Sequence, residues 1–126
     1  TVRGNFSSAK IAATLKYAAP TGPTIVKVTR TDGDPAVNVI KHDGSLCRMF
    51  VDNMPDLTDE ATTFSVTWTK ADGSTVMKTK SQCDFIGIAD GYVMPQIPDD
   101  LAAGDTLRVK ATYNGTDTNE VTVTVV

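Results

Sequence analysis

The sequence predicts an all-β fold, a two-layer antiparallel sandwich or a barrel, and three observations predict it. Phe64, Val66 and Trp68 alternate with Ser65, Thr67 and Thr69, the period of two that puts each set of side chains on its own face of a strand. Asp-Gly and Asn-Gly pairs at 32–33, 43–44, 72–73, 90–91 and 114–115 punctuate the chain. Between them lie about seven to nine short β-rich runs at the roughly eight- to twelve-residue spacing of all-β domains. Trp68, the single tryptophan, sits mid-run on the apolar face. A ring of that size centres a small β-sandwich when its indole N–H finds a carbonyl.

The first stretch differs from the rest, so the chain divides into an arm and linker, residues 1–23, and a β domain, residues 24–126. Within the arm, Ser7-Ser8 before an Ala-rich run with Ile11 and Leu15 four apart reads as a capped helix. Ile11, Ala13, Leu15 and Tyr17 also alternate with Ala12, Thr14 and Lys16, which reads as a strand. Pro20 and Pro23 end either element. Phe6, Ile11, Leu15 and Tyr17 are the candidate partner-binding residues of this arm, since an apolar segment too small for its own core packs back or binds a neighbour.

From Thr24 the β pattern is continuous. Ile25–Thr29, Val37–Ile40 and Leu46–Val51 are the first expected strands, and Pro55-Asp56 turns the chain into the Phe64–Thr69 run. Asp72-Gly73 supplies the positive-φ residue of a tight hairpin, returning through Thr75–Lys78. Asp84–Ile88 and Tyr92–Met94 follow, then a loop with one short helical turn at Asp99–Ala103. Leu107, Val109, Ala111 and Tyr113 alternate with polar partners, and Asn114-Gly115 turns into Val121–Val125. The expected core is Phe64, Val66, Trp68, Leu107, Val109 and Tyr113. The final strand, Thr-rich on its outer face, is expected to be an edge open to a neighbouring subunit.

At 126 residues and a net charge of −3, the chain suits one domain, and it has no dense basic footprint for nucleic acid. No apolar run is long enough to cross a bilayer, and the first residues lack the apolar core of a secretion signal. Cys47 and Cys83 are expected to be two separate reduced thiols.

Little in the sequence carries chemistry. His42, the single histidine, falls in an Asp-Gly turn, where exposed polar residues belong. Asp32-Gly33-Asp34 is a fragment of a calcium loop and is better explained as a turn. One His and two distant Cys make no zinc set. Asn5-Phe6-Ser7 and Asn114-Gly115-Thr116 fit the glycosylation pattern and also fit caps and turns. Arg108 and Lys110 share a strand face, solvated or ion-paired with a partner. No catalytic, metal-binding or cofactor-binding residue is assigned, and no cofactor is expected.

The order of features nonetheless resembles a known family. Phe64-x-Val66-x-Trp68 with Lys70-Ala71-Asp72-Gly73-Ser74, then Ile97-Pro98-Asp99-Asp100-Leu101 and Ala102-Ala103-Gly104, then the two closing strands, are similar to the immunoglobulin-like N-terminal domain of bacteriophage upper-baseplate and fibre proteins. The likeness covers about residues 24–126. The long Lys78–Ile88 stretch with Cys83 departs from it. The resemblance implies an immunoglobulin-like sandwich and a non-enzymatic virion protein, either a baseplate or fibre adaptor or a capsid decoration subunit. Its partners would be other virion proteins or copies of itself, with no nucleic acid and no membrane. The alternatives are a bacterial cell-surface adhesion module and a carbohydrate-binding domain.

Overall fold

The computed structural model describes residues 22–84 and 91–126. The arm residues Phe6, Ile11, Leu15 and Tyr17, the helix-or-strand question at 8–18, and the expected strand beyond Asp84 lie outside the described residues. The described chain is all-β and forms two open sheets. In chain order the strands are β1 (Thr24–Thr29), β2 (Val39–Ile40), β3 (Arg48–Asp52), β4 (Phe64–Lys70), β5 (Thr75–Thr79), β6 (Cys83–Asp84), β7 (Tyr92–Pro95), β8 (Thr106–Tyr113), β9 (Thr116–Asp117) and β10 (Val121–Val125). One sheet runs β1-β3-β7-β6. The other runs β2-β10-β8-β4-β5, with β9 paired to β8.

The β4–β8 pair is the spine. Seven residue pairs from Phe64↔Tyr113 to Lys70↔Leu107 hold the register. Each alternate member, Phe64, Val66 and Trp68 against Tyr113, Ala111 and Val109, is buried. Ile25, Val28, Met49, Val51 and Val93 of the other sheet meet them in one core. Trp68 is 0% exposed and its Nε1–H donates to the Gln96 carbonyl at 3.0 Å, so the ring is buried without stranding its donor. Phe64 and Tyr113 pack at 4.8 Å between ring centroids.

The turns follow their residues. Gly73, at φ 88°, lets β4 return as β5, and Asn114 and Gly115, at 51° and 81°, supply the two positive-φ positions of a type I′ hairpin between β8 and β9. Three expectations need correction. β2 pairs β10 in parallel, so the fold is not wholly antiparallel. That pairing, with β8 on its other side, makes β10 an interior strand and not an edge. The expected run at Val37–Ile40 shrinks because Asn38 takes φ 58°.

The helical turn expected at Asp99–Ala103 is also absent. Its polar groups bond elsewhere: Ala102 N–H donates to the Asp105 carboxylate, Asp105 N–H to the Ala102 carbonyl, and Gly104 N–H to the Val125 carbonyl. The described helix is instead a single 3-10 turn, Lys80–Gln82, closed by a capping box between Thr79 and Gln82.

The two long sides of the molecule are finished differently. On one side β1 meets side-chain amides. Ile25 N–H donates to Asn119 Oδ1 at 2.7 Å, and Asn119 Nδ2 donates back to the Ile25 carbonyl at 3.1 Å. Val28 N–H donates to Asn38 Oδ1 at 3.0 Å, and Asn38 N–H to the Val28 carbonyl. Each asparagine stands in for a neighbouring strand. On the other side β5 ends its sheet with no further strand among the described residues.

Candidate functional site

The chemistry-bearing side chains of the described residues are distributed among turns. His42 is exposed, and its backbone N–H and Nδ1 both meet the Val126 carbonyl, at 2.8 and 2.9 Å. That places the imidazole as a tie between the β2–β3 loop and the end of β10. Among the described residues no three of His, Cys, Asp and Glu converge as metal ligands.

The carboxylates repeat one local device, in which an Asp side chain accepts from the residue two ahead. Thr58 donates its hydroxyl and N–H to Asp56. Ser74 does the same for Asp72, Asp34 N–H donates to Asp32, and Ala36 N–H to Asp34. These bonds favour the charged form. The Thr58 hydroxyl holds Asp56 below the ordinary carboxylate value, the Ser74 hydroxyl does so for Asp72, and the Asp34 N–H for Asp32. A group made this acidic stays an anion at neutral pH and makes a poor general acid.

The thiols are equally committed. Cys47 and Cys83 are free, as expected. Pairing places Cys83 opposite Pro95, and Cys47 N–H donates to the Pro95 carbonyl from the other side. The backbones of Cys47 and Cys83 thus flank β7, two strand spacings apart, about 9–10 Å, wider than a disulfide spans. Burial pushes the Cys47 thiol up strongly and Cys83 up to about 11, so neither is an activated nucleophile.

A cleft of about 330 Å³ lies at one end of the larger sheet between the β4–β5 hairpin and the loop before β8. Its charged groups are engaged. Lys70 Nζ is bidentate to Asp100, at 2.6 and 2.5 Å, and Lys70 is the first cause of the lowered Asp100 carboxyl. Asp72 is held by Ser74, and Asp105 by Ala102. Arg108 and Lys110 pair with Glu120 and Asp117 of their own chain, both at 3.3 Å.

A different surface escaped the sequence reading. On the outer face of the four-stranded sheet, the register aligns Lys27 with Phe50 and Phe50 with Tyr92. Lys27 Nζ stands 4.7 Å from the Phe50 centroid, Arg48 Cζ 5.5 Å from the Tyr92 centroid, and the two rings are 5.1 Å apart at 49°. Alternation alone places Phe50 opposite Met49 and Val51. The alignment of three strands that assembles the cluster has no sequence signal.

No protein-family model matches the chain, and no curated protein sequence shows significant similarity to it.

Proposed function

We propose that this chain is a non-enzymatic, immunoglobulin-like assembly module of a bacteriophage virion, a baseplate or fibre adaptor or a capsid decoration subunit. Strand order supports the immunoglobulin-like half of the reading: β1-β3-β7-β6 can be taken as A-B-E-D and β10-β8-β4-β5 as G-F-C-C′, with β2 and β9 as additions to the larger sheet. Trp68 on β4 takes the place of the buried tryptophan of strand C. Two features are its own: Cys83 is on strand D and no cysteine lies on F, and the edge of A is finished by asparagines.

The observation that carries the functional half is the disposition of the reactive groups. Carboxylates are spent on turns, the thiols are desolvated, and cations of the larger sheet's outer face meet acids of the same chain. Such a body acts by contact, with residues 1–23 as the arm that engages neighbours through Phe6, Ile11, Leu15 and Tyr17. Burying each large apolar side chain there would contribute about 1.5–3 kcal/mol.

The test uses particles assembled from the phage genome that carries this reading frame. The protein should be present in purified particles at fixed stoichiometry, and added full-length protein should cosediment with particles lacking it. The full-length Ile11→Ser/Leu15→Ser/Tyr17→Ser variant should cosediment at least about tenfold less well. Absence from purified particles would overturn the reading.

A further inference from the structure

We propose that the outer face of the four-stranded sheet is a self-association surface whose occupant is the same face of a second copy of this chain. The inference deepens the assembly reading by naming the partner and the patch. It stands on three observations.

The first is composition. Phe50, Tyr92 and Met94 form the middle of this face, each only half-buried with the domain folded, and Val26, at the register shift between Ile25 and Lys27, is 53% exposed. Two aromatic rings in adjacent register on an outer sheet face are the residues that dominate interface cores. The second is the state of the cations. Lys27 and Arg48 lie over those rings, and among the described residues neither has a carboxylate within ion-pair range. Arg48 Nε is out of contact with water and has no acceptor, whereas Lys41, Lys70, Arg108 and Lys110 all have acids.

The third is the arrangement of charge. Asp52 stands on the same side of β3 as Arg48 and Phe50, about 13 Å along from Arg48. The face is therefore apolar in the middle, with Lys27 and Arg48 on one side and Asp52 toward the other end of β3. When it meets its own copy across a two-fold axis, apolar meets apolar and cations meet acids. A polyanion such as nucleic acid would run into Asp52. Residues 1–21 carry Arg3, Lys10 and Lys16 and no acid, so this chain's own arm brings the same charge as Lys27 and Arg48.

The test is sedimentation velocity on full-length protein over a wide concentration range, with Trp68 fluorescence confirming the fold of each variant. Wild type should pass from monomer to dimer, and added salt should weaken the dimer. Phe50→Ser and Lys27→Glu/Arg48→Glu should each weaken it about tenfold or more. Asp52→Lys should weaken it too, and an equimolar mixture of Asp52→Lys with Lys27→Glu/Arg48→Glu should recover a mixed dimer. A wild type that stays monomeric throughout, or a dimer untouched by Phe50→Ser and the charge reversals, would overturn the proposal. Particle binding through the arm would survive that failure, and a dimer that never enters particles would leave this inference standing while sinking the assembly role.

Discussion

Two buried aromatic residues with opposite polar bookkeeping show how much one hydrogen bond matters in this core. Trp68 gives its N–H to the Gln96 carbonyl. The Tyr113 hydroxyl is buried with no partner, and burial pushes its phenol up. Trp68→Phe loses packing and leaves Gln96 without its donor, so urea unfolding should show a loss of about 2–4 kcal/mol. Tyr113→Phe removes only an unsatisfied hydroxyl and keeps the ring on Phe64. Its stability should lie within about 1 kcal/mol of the parent, or above it. A large loss on Tyr113→Phe would mean that the hydroxyl has a partner. The thiols give a second residue-scale test, because their raised pKa values leave little thiolate at pH 8. A chromogenic disulfide reagent should titrate two thiols per chain in guanidinium and react slowly with the folded protein, Cys83 ahead of Cys47.

At the scale of elements, edges decide what the strands are free to do. β1 is closed by Asn119 and Asn38, and Asn119→Ala should cost about 1–2 kcal/mol and speed amide exchange at Ile25, with little effect on β8. Among the described residues β5 has no such cover, and Met77 at its centre is 62% exposed. Its protection is Lys78, which pairs with Val66 and shares that residue's core-facing side. A charge pointing inward on an edge strand penalises any strand that would extend the sheet. Lys78→Val should therefore raise aggregation on mild heating, read by light scattering, while leaving the unfolding midpoint equal or higher. These edges also mark where the sequence stops being legible. Alternation in β4 and β8 and the Gly-bearing turns were readable because they depend on neighbours one to four residues apart. The parallel β2–β10 contact, the asparagine substitutes for strands, and the Lys27–Phe50–Tyr92 row depend on residues tens of positions apart. Val37–Ile40 misled because it is β-branched on either side of an asparagine that turns left-handed to reach Val28. Of the candidate sites, the turn positions of His42 and of the Asp-Gly pairs were visible in local pattern, and the aromatic face was not.

For the whole molecule, the pattern of acidic turns sets a pH limit that the core alone would not. Asp32, Asp56, Asp72, Asp100 and Asp117 are all held below their ordinary value of 3.8, by backbone N–H groups, hydroxyls or lysines. For each, the folded state binds its proton less readily than the unfolded chain does. The stabilisation is therefore fully present above the unfolded value and drains away as pH falls through the folded one. Stability should be nearly flat from neutral pH down to about 5, then decline modestly below about 4. These groups sit on the surface, so each contributes little and salt screens the lysine-paired ones. The turns that fail together on protonation are those fixing the register of the β4–β5 hairpin and the approaches to β4 and β8. Urea midpoints measured from pH 7 to 2.5 check this, and Asp72→Asn with Asp56→Asn should flatten the acid limb while lowering the neutral plateau slightly. A limb equally steep in the double variant would move the acid sensitivity away from these turns.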